Sequence, residues 1–386
     1  MVIARCSYPE HGNEVKRFLR KQCWLKSSGM TTRDAGFVID PLWMLRCLMA
    51  FFVCCCLIYG CGDSENGSPA TNEQTPESFC SVWKDHPANP LIEPLPGWQW
   101  PNSILADPTV VVPEESPDGT WHLFAHSLQG IHHYISIDGI TWEKVQGEGP
   151  LFEGMRPSIY REGSQYFMLY ERVLCILPLS SVIEIRSSPD LFQWGIGVKI
   201  LEPTLPWERS IQSNTTGNPF LFKRDRTYWL YYSANGVFLP DCFYFEPKFI
   251  GVARAEDILG PYQKEPEPLI RPSSEEPFRN MGAGSMKLLS SQLNGLWIGF
   301  NNGIYQDLEG NSRSAILVLS SHDGLTWDLL CPEPVIKPGD QSWKTAFVYA
   351  FDVKKIDHEY WMYYNARNGW LIGTERIGLC ILSPEQ

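Results

Sequence analysis

The feature that most constrains this chain is a turn that recurs. "SIDGITWEKVQGEGPLF" (Ser136–Phe152) and "SSHDGLTWDLLCPEPVI" (Ser320–Ile336) share one form, and "SSPDLFQWGIGVKILEP" (Ser187–Pro203) keeps it more loosely. Each has a small polar residue, an Asp at the turn, a Trp shortly after, and a short strand ending near Pro. The Trp residues stand at 142, 194 and 327. The first interval is 52 residues; the second, 133, holds two units of about 66. The copy this requires near residue 260 is "IGVARAEDILGPYQKEPEPLI" (Ile250–Ile270), with Tyr262 in place of Trp.

A hairpin precedes each copy, and a fifth follows the last. These begin at Asp107, Arg156, Asn218, Gly282 and Ala346. Each reads as a short apolar strand, a polar turn and an aromatic strand, and no long helical period interrupts them. A self-similar unit of about four strands, repeated five times, predicts an all-β, five-bladed β-propeller. The last unit ends at "RIGLCILSPEQ" without a fourth strand. "NPLIEP" (Asn89–Pro94) matches the other closing strands and is expected to fill the gap, closing the ring and removing its open edge. A pair of β-sandwiches would not explain a five-fold count.

The amino terminus reads differently. Leu48–Gly60, "LMAFFVCCCLIYG", is an uncharged run of 13 residues behind Arg46, short for a membrane span and suited to a signal peptide. It ends at Cys61 in a form that resembles a bacterial lipobox. The expected organisation is 1–43 outside the mature protein, with Met44 as the true start. A signal peptide follows at 44–61, then a polar tether at 62–80 and the propeller at 81–386. The protein is then exported and held by lipid at Cys61, in the periplasm or at the cell surface. Five cysteines stand from residue 80 onward, and the expected ring closure singles out Cys80 with Cys380 as the disulfide to test.

The net charge of −12 argues against nucleic acid or an anionic membrane surface as the main partner. It leaves neutral ligands such as sugars open. Aromatic residues make up 13% of the chain, enough to fill strands and also to wall a carbohydrate site.

In a propeller the first strand of each blade lines the central channel. The strand starts are Asp107, Arg156, Asn218, Gly284 and Phe347. Loops after the second strands would add His126, His132, His133, Glu171, Arg172, Asp241, Glu246, Asn301, Asn302, Asp307, Asn365 and Arg367. Trp98, Trp100, Phe243, Tyr244 and Trp370 would supply aromatic walls. Convergent polar groups between aromatic walls suit a sugar. The long segment "GVFLPDCFYFEPKF" is expected to hang Asp241 and Glu246 over the mouth as a loop.

"NPLIEPLPGWQWPNSILADPTVV" (Asn89–Val111) resembles the opening of glycoside hydrolase family 43, and the "DGxTW" turns are similar to those of its clan, which also holds families 32, 68 and 130. The resemblance runs from Asn89 to the C-terminus. It implies inverting hydrolysis with Asp107 as general base, assisted by a second carboxyl as acid. The family's other two carboxylates are missing: "MRPSIY" offers Ser158 beside Arg156, and "TGNPF" offers Gly217. Glu246, Glu171 and Asp241 are the candidates for the acid. Arg156, Asn218, His126, Arg172, Trp98, Trp100, Asn301, Asn365 and Arg367 are the candidates for binding an oligosaccharide or glycoside of plant or microbial type.

Two alternatives stay open: a phosphorylase using Arg156, Arg172 or Arg367 for phosphate, and a sugar-binding surface lipoprotein without catalysis. A protein-interaction propeller fits less well, because these repeats are longer than the usual 40–50 residues. No cofactor is indicated. The oxygen-rich mouth would suit a structural calcium ion, although no calcium loop stands in the sequence. Zinc at His132 and His133 is disfavoured, since neighbours on a strand point apart.

Overall fold

The computed structural model describes residues 75–95, 102–145, 147 and 149–383. These fold as β-structure, with two short 3-10 turns at Pro76–Cys80 and Pro206–Glu208. In chain order the strands are β1 (Lys84–Asp85), β2 (Asn102–Ile104), β3 (Ala106–Val111), β4 (Trp121–Ser127), β5 (Gly130–Ser136), β6 (Glu143–Lys144), β7 (Met155–Glu162), β8 (Gln165–Ile176), β9 (Leu179–Ser188), β10 (Val198–Leu201), β11 (Ser213–Asn214), β12 (Thr216–Arg224), β13 (Thr227–Leu239), β14 (Tyr244–Ala255), β15 (Gln263–Lys264), β16 (Gly282–Leu288), β17 (Trp297–Gln306), β18 (Ser312–Ser321), β19 (Asp328–Leu329), β20 (Phe347–Ile356), β21 (Glu359–Arg367) and β22 (Gly373–Leu382).

They pair as antiparallel meanders: β3–β6, β7–β10, β12–β15, β16–β19, and β20–β22 completed by β1. The first strands touch in turn, β3 with β7, β7 with β12, β12 with β16, β16 with β20, and β20 with β3. One apolar cluster fills each junction. Val111, Phe124 and Met168 join the first meander to the second. Leu169, Leu221 and Leu230 join the second to the third, and Trp229, Val252 and Trp297 the third to the fourth. Phe300, Val318 and Phe351 follow between the fourth and fifth, and Val110, Leu123 and Tyr363 between the fifth and first.

The recurrent turn has a local cause. The Asp138 carboxylate accepts the N–H groups of Ile140 and Thr141 at 2.8 and 2.7 Å, and Ser136 Oγ accepts that of Gly139. Ser188 with Asp190 and Ser321 with Asp323 repeat this pattern. The residue after the Asp sits at positive φ: Gly139 at 73°, Gly324 at 82°, and Leu191, in the looser copy, at 67°. An Asx turn caps the backbone, and glycine takes the left-handed position without cost.

Outer strands share one signature as well. A two-residue strand is followed several residues later by a single bridge: Ile131 to Phe152, Ile250 to Ile270 and Ile316 to Ile336. In the fifth meander the amino-terminal segment takes this place. Lys84 and Asp85 pair with Ile381 and Cys380, and Ile92 bridges to Ile377.

Two expectations need correction. The folded unit starts before residue 81: Pro76–Cys80 is ordered, and Phe79 is fully buried against Phe300 and Tyr360. The disulfide joins Cys80 to Cys331, with Cα atoms 5.4 Å apart, while Cys380 is a buried free thiol. The amino-terminal segment does reach β22, but it is Asp85 that pairs with Cys380. Cys80 lies five residues earlier, over the fourth meander.

Candidate functional site

Each first strand carries a register break near its start. These fall between Ala106 and Thr109, Met155 and Ser158, Gly217 and Phe220, Ala283 and Met286, and Val348 and Phe351. A β-bulge re-aims the side chains at such a point. Asp107, Arg156 and Asn218 occupy the first three at φ 53°, 54° and 45°. Left-handed backbone costs a non-glycine residue roughly 1–3 kcal/mol, so the fold holds these three in place against strain. Proline follows each, and having no N–H it loses no ladder bond there. Asp107, Pro108, Arg156, Pro157, Asn218, Pro219, Ser285, Lys287 and Ala350 line one narrow cavity. All five bulges therefore converge. The fifth is occupied by Tyr349 and Ala350, not by Phe347, because two further residues of β20 pair before the break.

The second strand grips the bulge residue in the first three meanders. His126 Nε2 meets Asp107 Oδ2 at 2.5 Å, Arg156 Nη1 donates to Glu171 Oε2 at 2.6 Å, and Asn218 Nδ2 donates to Ser233 Oγ at 3.0 Å. His126, Glu171 and Ser233 share one register position, opposite Ala106, Met155 and Gly217. His126 faces the Ser127 carbonyl with its other ring nitrogen at 3.2 Å, and Asn365 Oδ1 accepts the Asp107 N–H. Burial pushes the Asp107 carboxyl up, but His126, Arg156 and Lys287 together hold it below its ordinary value.

Glu246 behaves in the opposite way. It is buried, and burial with the nearby Glu375 and Asp107 raises it to about 8 against the pull of Arg156 and Tyr244. The hairpin that carries it is strand rather than loop. Val237 pairs with Glu246, Phe238 with Phe245 and Leu239 with Tyr244, so the ladder continues to the turn. The second strands in general run further than expected: His126, Glu171, Arg172, Asn301, Asn302, Asn365 and Arg367 lie in β4, β8, β17 and β21, and His132 and His133 in β5.

The other candidates divide. Asp241 is tied to the Ser312 backbone N–H at 2.7 Å, which makes it a brace for the turn. Arg172 is partly exposed beside Glu153 and Glu184 at 3.7 and 3.8 Å. Asn301 Nδ2 donates to the Ser285 carbonyl and supports the fourth bulge. Arg367 is buried and bonds Gly369 O, Trp370 O and Glu375. Trp98, Trp100 and Cys61 lie outside the described residues. No set of three or more His, Cys, Asp or Glu able to hold a metal occurs among the described residues.

The sequence reading missed Glu375, Lys287 and Tyr349. Glu375 is a buried carboxyl that accepts from Asn365 and Arg367, and burial raises it despite Arg367. It stands in β22, a third strand, where no first-strand or loop search would look. Lys287 lies two residues past the fourth bulge. It donates weakly to the Pro108 carbonyl at 3.4 Å and lies 3.7 Å from Asp352.

No protein-family model matches the chain, and no curated protein matches it in sequence. Its fold is shared with solved structures. The catalytic domain of a Coprinopsis cinerea GH62 alpha-L-arabinofuranosidase matches with a TM-score of 0.57 at 12% identity, over 78% of this chain and 96% of that one. A thermostable family-43 glycoside hydrolase matches with a TM-score of 0.52 at 13% identity, over 71% and 88%. An N-acetylgalactosamine deacetylase from F. plautii, solved with blood group B trisaccharide, matches with a TM-score of 0.54 at 14% identity, over 78% and 95%.

Proposed function

We propose that this chain is a five-bladed β-propeller glycoside hydrolase of the inverting type, with Asp107 as general base and Glu246 as general acid. The observation that carries the reading is the split between two carboxyls, with Asp107 acting through space on the buried Glu246. Asp107 is held low and ionised, whereas Glu246 is raised to about 8 and protonated at neutral pH. Paired carboxyls whose surroundings push them apart mark an acid and a base. Asp107 would take the proton of an attacking water. Glu246 would protonate the leaving oxygen as the glycosidic bond breaks, so the proton count closes with each turnover. Arg156 acts on both charges and is itself fixed by Glu171. That ion pair makes Glu171 an acceptor and a poor choice for the acid.

Related folds supply the substrate class. The solved neighbours named above include two glycoside hydrolases and one enzyme bound to a trisaccharide, which favours an oligosaccharide or glycoside. One of the three is a deacetylase, so the fold alone does not fix the bond that is cut. Phosphorolysis has less support, because Arg156 and Arg367 already hold carboxylates. The reading keeps export and lipidation at Cys61, which incorporation of labelled palmitate into wild type and not Cys61→Ser would test.

The deciding experiment is a panel of aryl glycosides and oligosaccharides, with and without phosphate, offered to wild type, Asp107→Asn and Glu246→Gln. Phosphate-independent cleavage by wild type, lost in Asp107→Asn, is the expected result. Cleavage that requires phosphate would replace the reading with a phosphorylase. Glycan binding without cleavage would replace it with a binding protein.

A further inference from the structure

The first three meanders fill the position that grips the bulge with His126, Glu171 and Ser233. The fourth has Gly303 there, opposite Ala283. A Cβ on Gly303 would lie 2.2 Å from the Phe278 carbonyl oxygen, so the backbone of the incoming segment occupies that space. The next residue is Arg279. Its segment is fixed: Ser273 N–H donates to the Arg279 carbonyl, Arg279 N–H to Glu276 and Glu276 N–H to Ser273, at 3.2, 2.9 and 3.1 Å. Asn280 then brackets Gln306, the last residue of β17, with two bonds. Arg279 is thus held at the channel-mouth end of the fourth meander.

The residue is 8% exposed, and its Nε and Nη1 are buried without a hydrogen-bond partner. Arg279 is the one cation among the described residues with such buried, unpartnered nitrogens. A guanidinium stays charged at any ordinary pH, and burying its donors unpaired is costly. Among the described residues, Glu276 is the group that acts on its charge, through space. The chain carries a net charge of −12, yet among the described residues no carboxylate hydrogen-bonds to Nε or Nη1 of Arg279. Groups kept unpaired at such cost are expected at binding sites, where a ligand completes them.

We propose that Arg279 is an oxyanion subsite at the fourth-meander wall of the mouth, taking a sugar carboxylate or a sulfate or phosphate ester through two guanidinium N–H donors. The inference rests on the geometry of this wall and not on hydrolysis, so it stands or falls separately from the catalytic reading.

The test is thermal denaturation of the full chain at constant ionic strength. The probes are D-glucuronate, D-galacturonate, sulfate and inorganic phosphate, with glucose and galactose as neutral controls. At least one oxyanion is expected to raise the melting temperature saturably, by several degrees, while the neutral sugars do not. A response to uronates alone would identify a sugar acid; a response to sulfate or phosphate would identify an ester. Arg279→Met should abolish the response and melt at or above the wild-type temperature, because it removes an unpaired buried charge. Arg279→Lys should keep a weaker response. An unresponsive wild type would overturn the proposal. So would an Arg279→Met protein that melts lower yet keeps the response, since Arg279 would then be structural.

Discussion

The Glu171 carboxylate occupies the space where a side chain at Gly217 would begin: a Cβ on Gly217 would lie 1.9 Å from Glu171 Oε2. The second meander thus projects a carboxylate into the place from which the third would project its own. Gly217→Ala should therefore push Glu171 off Arg156. We expect a loss of about 1–3 kcal/mol in stability, as for an overpacked core, and a drop in activity out of proportion to it. Denaturant titration beside initial rates checks both. An alanine variant of wild-type stability and rate would show that the carboxylate has room to move.

Asp352 of β20 ties the fifth meander to the first: it accepts the Val110 N–H at 2.7 Å and the Thr109 hydroxyl at 3.3 Å. Burial raises this carboxyl, but Lys287 and Lys354 bring it below its ordinary value. A lowered carboxyl contributes stability above its unfolded value and loses that contribution as pH falls through the folded one. Asp352→Asn should cost about 3–5 kcal/mol near neutrality by leaving the buried Lys287 and the half-buried Lys354 without their carboxylate. The difference from wild type should shrink in acid, which denaturation at several pH values would reveal.

How much of this was legible follows from which interactions are local. The Asp138, Asp190 and Asp323 turns are set by residues within three positions of one another, so their spacing exposed the repeat. Asp107, Arg156 and Asn218 were found because the repeat aligns them. The bonds that define the site are not local. Tyr244 meets Tyr349 and Asn365 meets Asp107 across meanders, and nothing in either segment's pattern announces the partner. The sequence points to Glu246 through a segment that reads as a loop, and that segment is a strand. Cys80 pairs elsewhere than the sequence suggests because three amino-terminal segments reach β22, and sequence cannot say which neighbour each residue faces.

Phe79 and Cys80 bind the amino-terminal segment to the fourth and fifth meanders. Phe79→Ala should cost about 3–5 kcal/mol. Removing the disulfide by Cys80→Ser with Cys331→Ser should cost about 2–5 kcal/mol. Truncation at residue 81 should combine both losses. Thermal melts of the three variants with and without reductant would measure this, and a truncated chain as stable as wild type would return the segment to the tether.

Glu246 also leaves a mark on stability that needs no substrate. Its folded value of about 8 lies above the ordinary 4.5. The folded state therefore binds the proton more tightly, and stability should fall as pH rises through that window and level off above it. Glu246→Gln cannot titrate and should remove this part of the slope. A slope identical in the variant would mean that the group is not raised.

The most direct test of the central claim is the pH dependence of kcat/KM for wild type and Glu246→Gln on a substrate found in the panel. The free enzyme should need Asp107 ionised and Glu246 protonated. A bell is predicted, with its acid limb below the ordinary carboxylate range and its alkaline limb near about 8. In Glu246→Gln the rate should fall about 10²–10⁴-fold, and the alkaline limb should disappear. A variant that keeps both the rate and the alkaline limb would contradict the assignment of Glu246 as the acid.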